Sequence, residues 1–264
     1  MHDHERCHGR AHDPAHDPAH HGAHPAASPI AIDDVVGFLS AALGGRSRVL
    51  EVGCGRGEVA RRLGAAGWQV TALDRELPDR TPAAGVAFVE HDVLDYDAPP
   101  FDAAVFTSSL HHIAPLPAAI DRAHALVAPG GLIVADEFAL EAPDAPTLGW
   151  YYDAQELLAA AELIPRDRID EATADPADRI GRWTRAHHHE PALHTGAAMQ
   201  GAIAARFELR DVRGGAYLYR YPARNLPGDA RGLAIAAHLR ATEQAGITAG
   251  RFAAVGLRIV AVRR

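Results

Sequence analysis

Two sets of residues in this chain have types and spacings suited to chemistry. The first lies in Arg48–Gly57, read as RVLEVGCGRG, where Gly53, Gly55 and Gly57 recur at every second position behind a short apolar run. Glycines at that spacing let the backbone bend sharply and let a ligand approach without meeting a Cβ. Such a bend, feeding a helix N-terminus, presents free N–H groups and the positive end of a dipole, which suits a nucleotide-type ligand. The spacing is not the G-x-G-x-x-G that follows a dinucleotide pyrophosphate, which weighs against a dehydrogenase. Glu51, two positions before the first glycine, would repel a pyrophosphate but can hold the ammonium group of an amino-acid moiety. The second set is histidine: His111-His112, and His187-His188-His189 with His194. Imidazole changes charge near neutral pH and is the natural proton acceptor there.

The glycine stretch resembles the first motif, E/D-x-G-x-G-x-G, of the class I S-adenosylmethionine-dependent methyltransferases, matched here by Glu51, Gly53, Gly55 and Gly57. Further motifs of that family follow in order: Asp74 after the second apolar run, E-H-D-V at Glu90–Val93, and Pro129-Gly130-Gly131 before the fifth. The resemblance covers about residues 49–138 and implies S-adenosyl-L-methionine as cofactor. It places Glu51 and the backbone of Gly53, Cys54, Gly55 and Gly57 at the methionine end. It also implies that Asp74 accepts from the ribose hydroxyls, with Arg75 beside the adenine. Asp92 would meet the adenine amino group and Val93 its ring, while Thr107 and Ser108 line the channel where methyl meets acceptor. Nucleic-acid members that methylate amino groups carry Asn/Asp-Pro-Pro-Tyr where Thr107-Ser108 stands, so a small-molecule acceptor is expected.

Methyl transfer from a sulfonium is an in-line displacement, so alignment supplies much of the rate. A base is needed only where the acceptor must lose a proton. His111, His112 and His188 are the candidate catalytic residues. An L-H-H-I string also shapes the loop after the fourth strand in small-molecule members, which is the packing alternative. A metal reading follows from ubiquinone-pathway and small-RNA 2′-O-methyltransferases, whose carboxylate and histidine ligands follow the same strand. Ser108 and His111 replace the expected carboxylates here, His112 is left as the only matching ligand, and no metal is expected.

These residues need elements to position them. Val49–Val52, Trp68–Leu73, Val86–Val89, Phe101–Phe106 and Leu132–Ala135 read as strands, with helices at Val59–Ala66 and Ala118–Leu126. Ser28-Pro29 starts an earlier helix as N-cap and first helical residue, and Gly44-Gly45 stops it. Asp74 lies 21 residues after Gly53, close to the ~20-residue offset at which this kind of fold presents a carboxylate to ribose. The alternation predicts an α/β fold: a Rossmann-like, doubly wound, seven-stranded, mostly parallel sheet with helices on both faces and a lid insertion after the fifth strand. Prolines divide that insertion, residues 139–195, into short pieces, with helices expected at Asp153–Glu162 and Pro176–Trp183. Its Trp150, Tyr151, Tyr152 and Trp183 suit either the wall of an apolar substrate pocket or the insertion's own small core. Gly196–Phe207 and Asp229–Ala245 read as helices, and Phe207–Val212 and Ala216–Tyr221 as hairpin strands around Gly214-Gly215. Phe252–Val262 reads as the last strand, which the resemblance implies is antiparallel beside the fifth.

Composition excludes other classes. The 264-residue chain carries a formal charge of −8 and no lysine, which argues against a nucleic-acid partner. No run approaches the ~18–20 apolar residues of a membrane span, and no apolar signal core is present. A cytoplasmic monomer or homodimer with no membrane partner is expected. Cys7 and Cys54 are the only cysteines, too few for a disulfide scaffold or a cysteine-based zinc site. Residues 1–27 are low in complexity, eight of the first 24 being histidine, and read as a disordered tail with loose affinity for Zn²⁺, Ni²⁺ or Cu²⁺. The organisation expected is that tail followed by a methyltransferase domain at 28–264. The reading is methyl transfer to a small molecule, with O-methylation favoured over N- or C-methylation. The alternative is a non-catalytic S-adenosylmethionine- or metal-binding protein whose tail is the working part.

Overall fold

The apolar run before the glycines folds as β1 (Arg48–Val52), an interior strand of a seven-stranded sheet. The other strands are β2 (Gln69–Asp74), β3 (Val86–Glu90), β4 (Phe101–Thr107), β5 (Val127–Phe138), β6 (Glu208–Gly215) and β7 (Gly256–Val262), in the order β3-β2-β1-β4-β5-β7-β6. The first five pair in parallel, and β7 runs antiparallel to both of its neighbours, β5 and β6. The helices are α1 (Pro29–Leu43), α2 (Glu58–Ala65), α3 (Leu116–Leu126), α4 (Ala145–Ala160), α5 (Arg179–Ala186), α6 (Gly196–Ala204), α7 (Arg220–Ala223) and α8 (Ala230–Thr248). The computed structural model describes residues 28–169 and 178–264, so the tail expected at 1–27 lies outside the described residues.

Successive strand residues face opposite sides of a sheet. Val49, Ala103, Val105, Leu132 and Val134 pack with Leu39 of α1 and Leu63 of α2 on one face. Leu50, Val52, Ala104, Phe106, Ile133 and Ala135 pack with Ile120 of α3 and Ile203 of α6 on the other. Burying one such large apolar side chain contributes roughly 1.5–3 kcal/mol. The same alternation sends Asp136 and Glu137, adjacent at the end of β5, to opposite faces.

Four sequence expectations are corrected. The helix expected from Asp153 begins at Ala145, because Asp144 caps it through the Thr147 N–H at 2.9 Å and Pro146 falls in the first turn. β5 spans Val127–Phe138 rather than Leu132–Ala135, with an irregularity in its pairing between Phe101 and Ala103 that takes up the Pro-Gly-Gly bend. The hairpin around Gly214-Gly215 does not form. Those glycines lie inside β6, opposite Leu257 and Gly256. The N–H groups of Tyr217, Leu218 and Tyr219 go instead to the Glu243 carboxylate of α8, at 2.8, 2.9 and 2.8 Å. The helix expected over Pro176–Trp183 is seen from Arg179, capped by Asp178 on the Gly181 N–H; residues 170–177 are outside the described residues.

Of the insertion's aromatics, Tyr151, Tyr152 and Trp183 are buried in a cluster with Phe138, Tyr217 and Leu218, and Trp150 packs against it. They form a core that reaches the end of β5. Among the described residues no helix is long and apolar enough to cross a membrane.

Candidate active site

The bend after β1 has the backbone its glycines require. Gly53, Gly55 and Gly57 take φ of 74°, 53° and 72°. A Cβ at Gly53 would lie 2.4 Å from that of Ser109, whereas one at Gly55 would meet nothing within 4 Å. Gly53 is therefore demanded by packing, and Gly55 leaves its backbone open to a ligand. The Gly53 and Cys54 N–H groups donate to Leu73 O at 2.8 and 3.1 Å, which fixes the bend to β2.

Glu51 on β1 is 1% exposed. Thr107 of β4 donates its hydroxyl to Oε1 at 3.0 Å, while Oε2 is buried with no hydrogen-bond partner among the described residues. Burial pushes this carboxyl up to about 7 against the opposing pull of the Thr107 hydroxyl and, more weakly, the Ala60 N–H, whose approach falls short of a well-formed hydrogen bond; the Asp74 charge adds to the rise. A buried carboxylate oxygen without a donor is costly until a cation reaches it. An amino-acid ammonium supplies that cation, so these residues fit the methionine end of S-adenosyl-L-methionine.

The remaining cofactor candidates gather at the carboxyl ends of the same strands. Asp74 closes β2 and accepts from the Gly55 N–H at 2.7 Å through Oδ2, binding the loop while each oxygen keeps a further acceptor site. Arg75 is exposed, its Nε 3.7 Å from Asp92 Oδ2. Asp92 also accepts from the Leu94 N–H at 2.9 Å, and Val93 is buried against the sheet. Burial, with the nearby Glu51 and Asp74 charges, pushes the Cys54 thiol up and leaves it a poor nucleophile. Ser108 takes a left-handed φ of 52°, held by its N–H to Asp136 O and by its hydroxyl 2.9 Å from the Tyr217 hydroxyl.

The two histidine clusters meet only in part. His111 and His112 sit in a 3₁₀ turn after β4, Leu110–His112. His111 is buried with Nδ1 2.6 Å from Glu137 Oε2, and the exposed His112 ring lies 4.2 Å from it. His189 comes 5.5 Å from His112, and His194 donates its backbone N–H to His111 O at 2.9 Å. His187 is engaged by Trp183 O and the Tyr221 hydroxyl. His188 is exposed, and among the described residues no contact links its ring to His111. No group of three or more His, Cys, Asp or Glu among the described residues is placed to hold a metal ion.

Sequence reasoning missed Glu137, Tyr217, Glu243 and a buried ion network. Asp136 accepts from Arg220 Nη1 at 2.6 Å and from Arg258 Nε at 2.7 Å; Arg258 also reaches Asp34 of α1 at 2.7 Å. The available signal was the acid pair Asp136-Glu137 inside the apolar run LIVADEF, because acids placed there need buried partners.

Residues 26–172, just over half of the 264-residue chain, match the family described as a methyltransferase domain. Over 102 residues the chain is 35% identical to an uncharacterized methyltransferase of Mycobacterium tuberculosis, covering 36% of this chain and 52% of that protein. Over 152 residues it is 29% identical to the malonyl-[acyl-carrier protein] O-methyltransferase of Salmonella typhimurium, covering 55% of this chain and 57% of that one. The chain thus spans about half the length of the curated relatives it matches. In fold it is similar to an S-adenosylmethionine-dependent methyltransferase from Mesorhizobium loti, with a TM-score of 0.51 at 16% identity, covering 88% of this chain and 100% of that chain.

Proposed function

The chain belongs to the methyltransferase-domain family, and from that premise we propose that it transfers a methyl group from S-adenosyl-L-methionine to a small-molecule acceptor, with oxygen as the favoured acceptor atom. The observation that carries the reading is the unpartnered, buried Oε2 of Glu51 close to a glycine bend whose middle residue faces open space. When bound, the cofactor supplies an electrophilic methyl on a sulfonium.

The chain's own residues do the rest. Glu51 accepts from the ammonium group, and the Gly53–Gly57 backbone seats the methionine end. Asp74 serves the ribose hydroxyls, and Asp92, Arg75 and Val93 form the adenine end. Thr107 and Ser108 line the channel in which donor and acceptor align. Residues 139–195 act as a lid whose aromatic core, joined to Phe138 and Tyr217, keeps water from that channel. Oxygen is favoured because His111 and His112 follow the Thr107-Ser108 stretch in the turn after β4 and an imidazole can take a hydroxyl proton. The Salmonella relative is named an O-methyltransferase of malonyl-[acyl-carrier protein], which supports oxygen as the acceptor atom but not a hydroxyl acceptor.

The test is calorimetry with S-adenosylhomocysteine, followed by incubation of labelled S-adenosylmethionine with phenols, catechols, amines and carboxylates. Saturable binding and label transfer to a hydroxyl compound are expected. Absence of binding would remove the cofactor assignment, and transfer to amines alone would remove the preference for oxygen.

A further inference from the structure

We propose that Glu137 is a positioning residue for His111: it holds the imidazole as the Nδ1–H tautomer, so that Nε2 is the base for a hydroxyl acceptor such as a phenol. The proposal rests on the methyl-transfer reading above and assigns the base within it.

Glu137 is on β5, in the run that faces α3 and α6, and its side chain is fully buried. It accepts three hydrogen bonds from the turn after β4. Oε1 takes the Ser109 and Leu110 N–H groups at 2.8 and 2.7 Å, and Oε2 takes His111 Nδ1 at 2.6 Å. A carboxylate placed this deep needs donors and a compensating charge. The three donors are the Ser109 and Leu110 N–H groups and the His111 ring, whose contact with Glu137 becomes an ion pair only when the imidazole is protonated. The bond at Nδ1 decides where the ring proton sits and turns the lone pair of Nε2 away from Glu137.

Packing ties the ring to the proposed channel residues. Phe138 meets it edge-on at 4.7 Å and stacks on Tyr217 at 5.2 Å. Tyr217 in turn bonds Ser108, the neighbour of Thr107. A continuous wall therefore joins His111 to the residues that contact Glu51. In the reaction, Nε2 takes the proton of the acceptor O–H while that oxygen bonds the methyl carbon. The carbon–sulfur electron pair stays with sulfur, S-adenosylhomocysteine leaves, and the imidazolium proton passes to solvent. An acceptor already ionised, such as a carboxylate, would have no use for this arrangement.

Glu137→Gln separates positioning from loop support. Its amide oxygen can keep the Ser109 and Leu110 N–H bonds while its NH₂ faces Nδ1 and forces the opposite tautomer. The readout that does not depend on turnover is the ¹⁵N spectrum of His111, assigned with His111→Asn, in protein saturated with S-adenosylhomocysteine. The wild type is expected to show hydrogen on Nδ1, and Glu137→Gln to show it on Nε2. Hydrogen on Nε2 in the wild type overturns the proposal, and that spectrum decides it even if the variant does not fold. With catechol and phenol as probe acceptors, Glu137→Gln and His111→Asn should each lower kcat by ~10²–10⁴. Their S-adenosylhomocysteine affinity should stay within twofold of wild type. Unchanged kcat in both variants would refute the assignment of the base. If the wild type shows the expected tautomer but methylates only carboxylates or amines, the hydroxyl part of the proposal fails, while the cofactor reading stands on calorimetry.

Discussion

Thr107 on β4 donates to Oε1 of Glu51 on the neighbouring β1 at 3.0 Å, and the other oxygen of that buried carboxyl is left without a partner. One strand thus aligns an acid that the adjacent strand buries, at the sheet end where the glycine bend begins. The pair makes the cofactor reading quantitative.

Glu51→Gln is expected to weaken S-adenosylhomocysteine binding more than tenfold, since a hydrogen bond to a charged group contributes ~1.5–3 kcal/mol. Burial raises the Glu51 pKa from 4.5 to about 7. Stability contributed by the protonated group is then fully present below 4.5 and is lost as pH rises through about 7. The ligand-free variant should therefore melt higher than wild type at about pH 8, while wild-type affinity for S-adenosylhomocysteine rises across neutral pH. A pH-independent wild-type affinity, measured by calorimetry in buffers of matched ionic strength, would count against the role of Glu51.

His188→Ala should leave kcat within about threefold of wild type, because an exposed surface change rarely disturbs a site it does not touch. A chelator should leave turnover unchanged, because the proposed base is an imidazole held by Glu137 and needs no metal. Loss of turnover on chelation, restored by Zn²⁺ or Mn²⁺, would reinstate the metal reading.

Asp136→Ala should destabilise the fold by ~3–5 kcal/mol, because it strips buried Arg220 of its closest carboxylate. Burial alone would raise the Asp136 pKa, but the Arg220 and Arg258 guanidiniums outweigh it and hold the carboxyl below its ordinary range. Its contribution is accordingly present above 3.8 and is lost as pH falls through the lower folded value. Urea unfolding at neutral pH measures the first effect, and a midpoint equal to wild type would contradict it.

Glu243→Ala removes the acceptor of three backbone N–H groups in the segment that carries Tyr217. Each buried donor left unmade costs ~1–3 kcal/mol, so a loss of at least ~2 kcal/mol is expected. Turnover should fall with it, since the Tyr217 hydroxyl would leave Ser108. Guanidinium unfolding, paired with kinetics at a temperature where the variant is folded, checks both halves.

Local chemistry made much of this protein readable from its residues. Alternating glycines dictated a bend, apolar period dictated strands and helices, and Glu51, Asp74 and Asp92 fell at strand ends because the alternation put strand ends there. Each signal spans a few residues and rests on backbone preference or periodicity. The contacts that complete the site span far more of the chain. Ser108 and Tyr217 are 109 residues apart, and His111 and Glu137 are 26 apart. Whether Glu137 or Asp136 faces the histidine turn depends on β5 register, where one residue of slip exchanges the two faces. The hairpin failed for the same reason: Gly214-Gly215 carries a turn signal, but β7 supplied a partner strand and Glu243 of α8 claimed the N–H groups that follow. Residue types announced a cofactor bend locally, whereas the choice of one histidine among several required the sheet register that buries a carboxylate against it.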